Sequence, residues 1–246
     1  MRNLEGKVAI VTGASRGIGA AIARELAKSG ASVVVNYVRN RKAANELIQK
    51  IKAAGGTGLG VQADVGTPAG AAELFDSAVS AFRKVDILVN NAGVITYKTI
   101  AETSEADFDR IFRTNVKGVF LMLKEAAARL ENNGRIVNFS SSVTRMMFPR
   151  YGAYSASKAA VEQFTRVFAK EVGGRGITVN CVLPGPTDTE LFREGKTEEE
   201  IARIASAAAL GRIGLPEDIA RVVLFLVGDE AAWVSGQTIG VNGGFA

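Results

Sequence analysis

The chain has 246 residues, of which 47% are hydrophobic, and its formal net charge is +5. One α/β domain at this length can bury a large core. Because the sequence has no histidine and one cysteine, imidazole catalysis, histidine-ligated metals and an intrachain disulfide are excluded. We expect no metal site, and we interpret Cys181 as a buried strand residue in a protein of a reducing compartment.

The basic residues are scattered, with the densest group at Arg39, Arg41 and Lys42. No basic helix face with interleaved aromatic residues is present, so we predict no nucleic-acid partner. No apolar run approaches the ~18 residues of a membrane helix, and the N-terminus lacks a signal-peptide pattern. The sequence therefore predicts no membrane association and a cytoplasmic location.

Short apolar runs alternate with amphipathic helical patterns along the whole chain. The predicted strands lie near residues 7–12, 32–38, 57–63, 85–91, 134–140, 176–183 and 237–241. The predicted helices cover residues 17–29, 40–54, 68–83, 104–131, 152–173 and 216–228. This alternation indicates one Rossmann-type, doubly wound α/β domain over 1–246, with a seven-stranded parallel sheet and helices on both faces. The ligand crevice of such a sheet lies at the carboxyl ends of its strands.

A glycine-rich turn, residues 12–19, separates the first predicted strand from the first predicted helix. Glycines in this position let the backbone approach a phosphate group, and the helix N-terminus favours its negative charge. The spacing G-x-x-x-G-x-G differs from the commoner G-x-G-x-x-G, and an ordinary tight loop is the alternative. The candidate binding residues of this turn are Gly13, Ser15, Arg16, Gly17, Ile18 and Gly19.

Tyr154 and Lys158 are four residues apart on a predicted helix and therefore point the same way. A phenol has a pKa of about 10, and an ammonium group nearby typically lowers such a pKa by ~1–3 units. The tyrosine could then act as an acid or base, while the Ser141 hydroxyl holds a substrate oxygen. On spacing alone, a solvated helix face is the commoner interpretation. The nearby Tyr151 has Ser155 four residues on, so we interpret it as a pocket wall.

Three further motifs accompany these features: residues 90–93 (Asn-Asn-Ala-Gly), Asn115, and residues 184–189 (Pro-Gly-Pro-Thr-Asp-Thr). Together they resemble the short-chain dehydrogenase/reductase family over nearly the whole chain. The resemblance implies that the catalytic residues are Asn115, Ser141, Tyr154 and Lys158. It also implies cofactor contacts at Asn91, Ala92, Gly93, Tyr154, Lys158, Pro184, Gly185, Thr187 and Thr189.

The same resemblance implies carbonyl reduction by hydride transfer. Tyr154 gives its proton to the carbonyl oxygen, and Ser141 polarises that oxygen. Lys158 lowers the tyrosine pKa and binds the nicotinamide ribose. Asn115, within the predicted helix 104–131, holds a water that connects Lys158 to solvent.

The second predicted strand ends at Asn36, where NAD-selective relatives carry an acidic residue that binds ribose hydroxyls. A carboxylate would repel a 2′-phosphate, whereas an amide can donate to it. We therefore predict NADP(H), with Asn36, Tyr37 and Arg16, and then Arg39, near the 2′-phosphate. The alternative is that both arginines are solvated surface groups that do not bind the 2′-phosphate. Asp64 and Val65 resemble the adenine site of the family.

The substrate pocket is predicted to be mostly apolar, with no cation dedicated to a carboxylate. Residues 187–210 follow a strand end beside the site, and we interpret them as a substrate lid rather than an ordinary surface loop. Such a pocket suits aldehydes, ketones or 3-oxoacyl groups. The candidate wall residues are Val94, Ile95, Met146, Met147, Phe148, Tyr151, Leu191 and Phe192.

Within the family, the chain resembles 3-oxoacyl-[acyl-carrier-protein] reductases and NADPH-dependent carbonyl reductases of broad specificity. Arg175 matches a residue that docks an acidic acyl-carrier protein, but a second basic position falls in the non-basic segment 131–133. We expect a broad ketone, aldehyde or quinone reductase first, a dedicated 3-oxoacyl reductase second, and a non-catalytic NADP(H)-binding sensor last. The resemblance and the widely spread apolar residues of helices 104–131 and 152–173 predict a homotetramer that also uses the C-terminal strand.

Overall fold

Seven short strands form one sheet in a computed structural model that describes residues 4–246. The first three residues of the predicted domain 1–246 lie outside the described residues. The strands are β1 (Val8–Val11), β2 (Ser32–Tyr37), β3 (Thr57–Gln62), β4 (Ile87–Asn90), β5 (Arg135–Phe139), β6 (Thr178–Pro184) and β7 (Thr238–Val241). Their order is β3-β2-β1-β4-β5-β6-β7, and each neighbouring pair is parallel. The predicted seven-stranded parallel sheet is confirmed.

Helices cover both faces of the sheet, which explains why all four residues of β1 and of β4 are buried. The helices that fall in predicted helical ranges are α1 (Gly17–Lys28), α2 (Arg41–Ala53), α3 (Pro68–Phe82), α4 (Glu105–Phe112), α5 (Gly118–Arg129), α7 (Gly152–Val172) and α10 (Pro216–Val227). Three further helices were not predicted: α6 (Val143–Met146), α8 (Glu190–Arg193) and α9 (Glu198–Ser206). One apolar core lies under α1, α2 and α10, and the other lies under α3, α5 and α7.

The helix predicted over 104–131 is not a single α-helix. A π-helical turn, Arg113–Lys117, separates α4 from α5. Asn115 lies at its middle and is fully buried, and its amide bonds both backbone groups of Val94. We attribute the wider turn to these bonds, because they draw the Asn115 side chain inward and π-turns commonly accompany functional sites.

Arg175 fastens the end of α5 to a 3₁₀ turn, Gly173–Arg175, that precedes β6. Its guanidinium donates to the carbonyl of Ala127 at 2.6 Å, to the carbonyl of Leu130, and to Oδ1 of Asn132 at 3.0 Å. A cation at this place satisfies carbonyl groups that a helix C-terminus leaves unpaired. The guanidinium is therefore used within the chain.

Trp233, the single tryptophan of the chain, is 99% exposed. It follows the 3₁₀ turn Asp229–Ala231 and precedes β7. The neighbouring Val234 carbonyl accepts a hydrogen bond from Asn180, near the start of β6. Trp233 consequently lies toward the edge of the sheet where the strands begin.

Among the described residues, no helix is long and apolar enough to cross a membrane.

Candidate active site

The predicted motifs meet at the edge of the sheet where the strands end. The neighbours of β1 are β2 and β4, so chain connections leave β1 in opposite directions and open a crevice there. Beside this crevice lies a cavity of about 1150 Å³. Its lining includes Gly13, Ser15, Arg16, Asn36, Arg39, Asp64, Val65, Ala92 and Val94.

The glycine turn forms a cradle in which side chains have no room. A Cβ at Gly13 would lie 2.9 Å from Cα of Ala92, and one at Gly19 would lie 2.7 Å from the Gly13 carbonyl oxygen. Gly13 and Gly17 have φ values of +62° and +55°, which favour glycine. No side chain caps the N-terminus of α1. Its first amide groups can therefore bind an anion, and the cradle fits a cofactor phosphate.

Asn36 supports this cradle from within the protein. Its side chain is 1% exposed; Oδ1 accepts from the Gly13 amide at 3.1 Å, and Nδ2 donates to the Ala63 carbonyl at 2.9 Å. These hydrogen bonds join β2 to the glycine turn and occupy the Asn36 amide within the chain, and its donation to a phosphate stays a prediction. Tyr37 is also buried, in the core under α1, so its side chain does not reach the crevice.

Of the two arginines predicted to bind the 2′-phosphate, Arg39 is the one that no carboxylate of the described residues engages. Its guanidinium has no ion pair or hydrogen bond with any described residue. Arg16 instead pairs with Glu190 at 3.2 Å, and Asp64 pairs with Arg113 at 2.6 Å. The ion pair of Arg16 leaves Arg39 as the freer of the two predicted arginines.

The end of β6 brings the last cofactor motif against the glycine turn. Pro184 ends the strand, and the Thr187 hydroxyl donates to the Gly185 carbonyl at 2.9 Å. Thr189 caps α8, and its Cγ2 lies 3.3 Å from where a Cβ would stand on Gly17. The motif at residues 184–189 thus packs beside the start of α1, next to the phosphate cradle.

At the centre of the site Lys158 is buried and Tyr154 is half-buried. The Lys158 ammonium donates to the Phe139 carbonyl at 2.8 Å and lies 5.7 Å from the centre of the Tyr154 ring. Burial raises the pKa of Tyr154 to about 12, while a hydrogen bond with Ser141 acts to lower it. Burial lowers the pKa of Lys158 to about 8. The loss of hydration is the largest effect on the Tyr154 pKa, and the expected lowering by Lys158 is not among its causes.

Asn115 and Gly93 fix the surroundings of Lys158. The Asn115 amide accepts from the Val94 N–H at 2.8 Å and donates to the Val94 carbonyl at 2.9 Å and to Ser157 Oγ at 3.0 Å. A Cβ on Gly93 would stand 3.3 Å from the Lys158 ammonium and 3.5 Å from Oδ1 of Asn115. The glycine thus leaves space beside the lysine, and Asn115 joins the segment after β4 to α7.

The serine assignment follows from where the neighbouring hydroxyls point. Ser140 donates to Glu162 at 2.7 Å, and Ser142 donates to the Leu183 carbonyl at 3.3 Å. Both serines are buried on the protein side. Ser141, between them, is the serine that forms a hydrogen bond with Tyr154. Glu162, which also accepts from Thr144 at 2.8 Å, was missed because a glutamate on a helix carries no distinguishing sequence signal.

Aromatic rings form the wall next to Tyr154. The Tyr151 ring centre lies 6.4 Å from that of Tyr154, 5.2 Å from that of Tyr97 and 6.1 Å from that of Phe148. Phe245 adds a further ring, 6.1 Å from Phe148. Tyr97 and Phe245 were not predicted, although Tyr97 follows the Asn-Asn-Ala-Gly motif closely enough to be considered. Of the predicted wall residues, Met147, Phe148 and Leu191 are at least partly exposed and form the rim.

A phosphate cradle at the sheet crevice, beside a buried lysine and a half-buried tyrosine and serine, defines a dinucleotide-dependent oxidoreductase of the Rossmann class. Residues 13–246 match the model of a family described as enoyl-(acyl carrier protein) reductase. The chain therefore belongs to the short-chain dehydrogenase/reductase family.

Individual relatives agree with this assignment. An Arabidopsis thaliana protein named "NADPH-dependent aldehyde reductase-like protein, chloroplastic" is 48% identical, covering 98% of this chain and 95% of its own. A short-chain dehydrogenase/reductase from Serratia marcescens is 39% identical with a TM-score of 0.94, covering 98% of both chains. The angucycline C-6 ketoreductase LanV, solved with bound NADP, is 38% identical with a TM-score of 0.93, covering 99% of this chain and 97% of its own.

Replacing Asn36 with aspartate should destabilise the protein and weaken NADPH binding. A carboxylate oxygen in place of Nδ2 would face the Ala63 carbonyl, now 2.9 Å from that nitrogen. We expect a loss of about 3 kcal/mol in the free energy of unfolding, because the Ala63 carbonyl would lose its donor and face a buried negative charge. Urea unfolding and NADPH fluorescence titration measure the two effects.

The matched control is Asn40→Asp, since Asn40 is the exposed N-cap of α2 and aspartate caps equally well. Stability there should change by less than ~0.5 kcal/mol. If the Asn36→Asp protein has normal stability and prefers NADH, the Asn36 side chain contacts the 2′-phosphate and our expectation is wrong.

The depressed pKa of Lys158 predicts a pH dependence of stability. Between about 8, the pKa in the folded protein, and the ordinary value of 10.5, the unfolded chain binds the proton that the folded protein has released. The free energy of unfolding should therefore rise with pH in this window. Relative to Lys158→Met, the wild type should gain up to ~3 kcal/mol. Denaturant unfolding at several pH values measures this difference. If the free energy of unfolding has the same pH dependence in the two proteins, the pKa of Lys158 is not lowered in the folded protein.

Proposed function

We propose that the protein reduces carbonyl groups of small molecules to alcohols with NADPH, using Tyr154 as the proton donor. The single observation that carries this proposal is the position of Tyr154 next to the phosphate cradle, with its ring centre 5.7 Å from the Lys158 ammonium and with the Ser141 hydroxyl acting on its phenol. Ketones, aldehydes and quinones of apolar character are the substrate class that the aromatic wall favours. An oxidoreductase role already follows from membership of the family.

NADP(H) is the cofactor. β2 ends without a carboxylate at Asn36, so nothing there repels a 2′-phosphate. Arg39 lines the same cavity as Asn36, and its guanidinium has no partner among the described residues; arginine is well suited to phosphate oxygens. The relative described as NADPH-dependent and the neighbour with bound NADP support the same choice.

When bound, NADPH supplies the hydride that the carbonyl carbon accepts. The Ser141 hydroxyl donates a hydrogen bond to the carbonyl oxygen, and Tyr154 transfers its phenolic proton to that oxygen as negative charge develops there. The raised pKa of Tyr154 keeps the phenol protonated at neutral pH, which is the state that reduction requires. The Lys158 ammonium stabilises the resulting phenolate, and its site beside Gly93 is compatible with contact to the cofactor ribose.

Residues 187–210 form the proposed lid over the substrate. Within them α8 and α9 are joined by Arg193, which pairs with Asp188 at 2.6 Å and with Glu198 at 3.0 Å. The far end is fastened to the C-terminal segment, where the Leu210 N–H donates to the Gly243 carbonyl at 3.0 Å. A stiff segment fixed at both ends suits closure as one unit over the site.

The structure gives no support to docking of an acyl-carrier protein through Arg175. That guanidinium caps α5, so it is used within the chain. Broad carbonyl reduction is accordingly preferred to a dedicated 3-oxoacyl reductase. A role as a non-catalytic sensor is disfavoured, because the serine, tyrosine and lysine are all present. A cytoplasmic location stays a prediction, and the name of one relative places that protein in the chloroplast.

A homotetramer is the proposed assembly. Phe120 on α5 is 50% exposed and Val167 on α7 is 56% exposed, although both helices pack on the sheet with their other faces. The Phe120 and Phe164 rings lie 6.3 Å apart and extend one apolar surface over the two helices. β7 is an edge strand, so its outer side is available for a second contact.

Tyr154→Phe should lower kcat by about 10²–10⁴-fold, because it deletes the proton donor while removing little volume. NADPH affinity should stay within about twofold, since the cradle is untouched. Stopped-flow NADPH oxidation with a ketone and an aldehyde measures the rate. Tyr151→Phe is the matched control and should keep most of its activity. Near wild-type kcat in Tyr154→Phe would show that another group is the acid.

In sedimentation equilibrium, the protein should behave as a species of four times the 25.9 kDa chain mass. Phe120→Glu places a charge in the apolar surface and should reduce the assembly to dimers or monomers. Gln49→Glu adds the same charge on the exposed side of α2 and should leave the mass unchanged. A monomeric wild type at micromolar concentration would contradict the proposed assembly.

A further inference from the structure

Lys196 lies between two aromatic rings at the lid. It stands between α8 and α9, and its ammonium is 4.8 Å from the centre of the Tyr97 ring and 4.9 Å from that of Phe192. The ammonium donates to the Phe192 carbonyl at 2.7 Å. An ammonium carries three donors, so this single bond leaves others available.

The charges around Lys196 leave it without a carboxylate partner. No carboxylate of the described residues forms an ion pair with it, whereas Lys98, next to Tyr97, pairs with Asp107 at 2.8 Å. Glu194 and Glu200 act on the lysine only through space and raise its pKa, but burial lowers it more. The Glu200 carboxylate already accepts from the Thr197 N–H at 2.9 Å as part of the capping box of α9.

A row of tyrosines connects this cation with the reacting centre. Tyr97 packs edge-on against Tyr151 with ring centres 5.2 Å apart, and Tyr151 packs against Tyr154 at 6.4 Å. The proton donor stands at one end of the row and Lys196 at the other. A substrate with a flat apolar body lying along these rings would place its carbonyl group at Tyr154 and its far end near Lys196.

We propose that Lys196 binds a carboxylate at the end of the substrate remote from the carbonyl, so that the preferred substrates are aromatic carbonyl compounds bearing a carboxylate. This inference rests on the proposed carbonyl reduction and adds the charge of its substrate. It departs from the sequence expectation of a pocket without a dedicated cation, because the fold places Lys196 over the ring of Tyr97, which packs against Tyr151.

The surroundings of Lys196 favour recognition of an anion over a purely structural role. An apolar side chain would pack between Tyr97 and Phe192 without the cost of partly dehydrating an ammonium. A carboxylate brought by the substrate would restore hydrogen bonds and charge compensation to that ammonium in a site of reduced polarity. A lysine that only latched the lid would gain nothing from the charge of the substrate.

The test compares acids with their methyl esters. Steady-state kinetics with NADPH are measured for 4-formylbenzoate and for the longer 6-acetyl-2-naphthoate, each beside its ester. One of the two acids should reach from Tyr154 to Lys196. For that acid, the wild-type kcat/KM should exceed that of its ester by about tenfold or more, which is the effect expected of one charge-assisted hydrogen bond. Lys196→Met should abolish the preference, and Lys196→Arg should retain part of it. Lys52→Met removes the same charge on the exposed side of α2 and should change nothing.

The alternative outcomes separate the two proposals. Equal kcat/KM for acid and ester in both wild-type pairs would overturn the role of Lys196 while leaving carbonyl reduction intact. An equal loss for acid and ester in Lys196→Met would assign the lysine to the lid alone. If no carbonyl is reduced, the proposed function fails. Titration calorimetry of 6-acetyl-2-naphthoate and its ester against the protein with NADP⁺ then still decides whether Lys196 selects the acid.

Discussion

The burial of one charged side chain organises the site. The Lys158 ammonium gives up its hydration and gains the Phe139 carbonyl at the end of β5, which fixes the rotation of α7 against the sheet. That rotation presents Tyr154 to Ser141 and carries Ser157 to the amide of Asn115. A change in the lysine would therefore alter three elements of the chain as well as the local charge.

The fold could be predicted almost completely from the sequence, because short apolar runs alternating with helical patterns leave few alternatives to a doubly wound sheet. The glycine turn was also readable, since close backbone approach at Gly13 and Gly19 excludes other residues. The π-turn around Asn115 was not readable. It depends on hydrogen bonds to Val94, which belongs to a different segment of the chain. Helical periodicity does not indicate which other segment a residue will contact.

The direction of side chains was the part of the site that sequence reasoning could not supply. Asn36 stands at the strand end where a cofactor contact is expected, yet its amide turns inward to Gly13 and Ala63. Lys196 stands in a charged surface run, yet it is placed between the rings of Tyr97 and Phe192. Both outcomes depend on which neighbours the folded chain provides. Position along the chain predicted the edge of the sheet but could not predict the partner.

The exposed indole of Trp233 makes the protein a selective optical reporter. As the chain has one tryptophan, selective excitation of indole observes one place only, near the beginnings of the strands and away from the crevice at their ends. Its 99% exposure in the single chain means that its emission there is that of a hydrated indole. A blue shift in the native protein would therefore report a second protein surface covering the indole. Tryptophan emission in this protein is thus a gauge of association between chains.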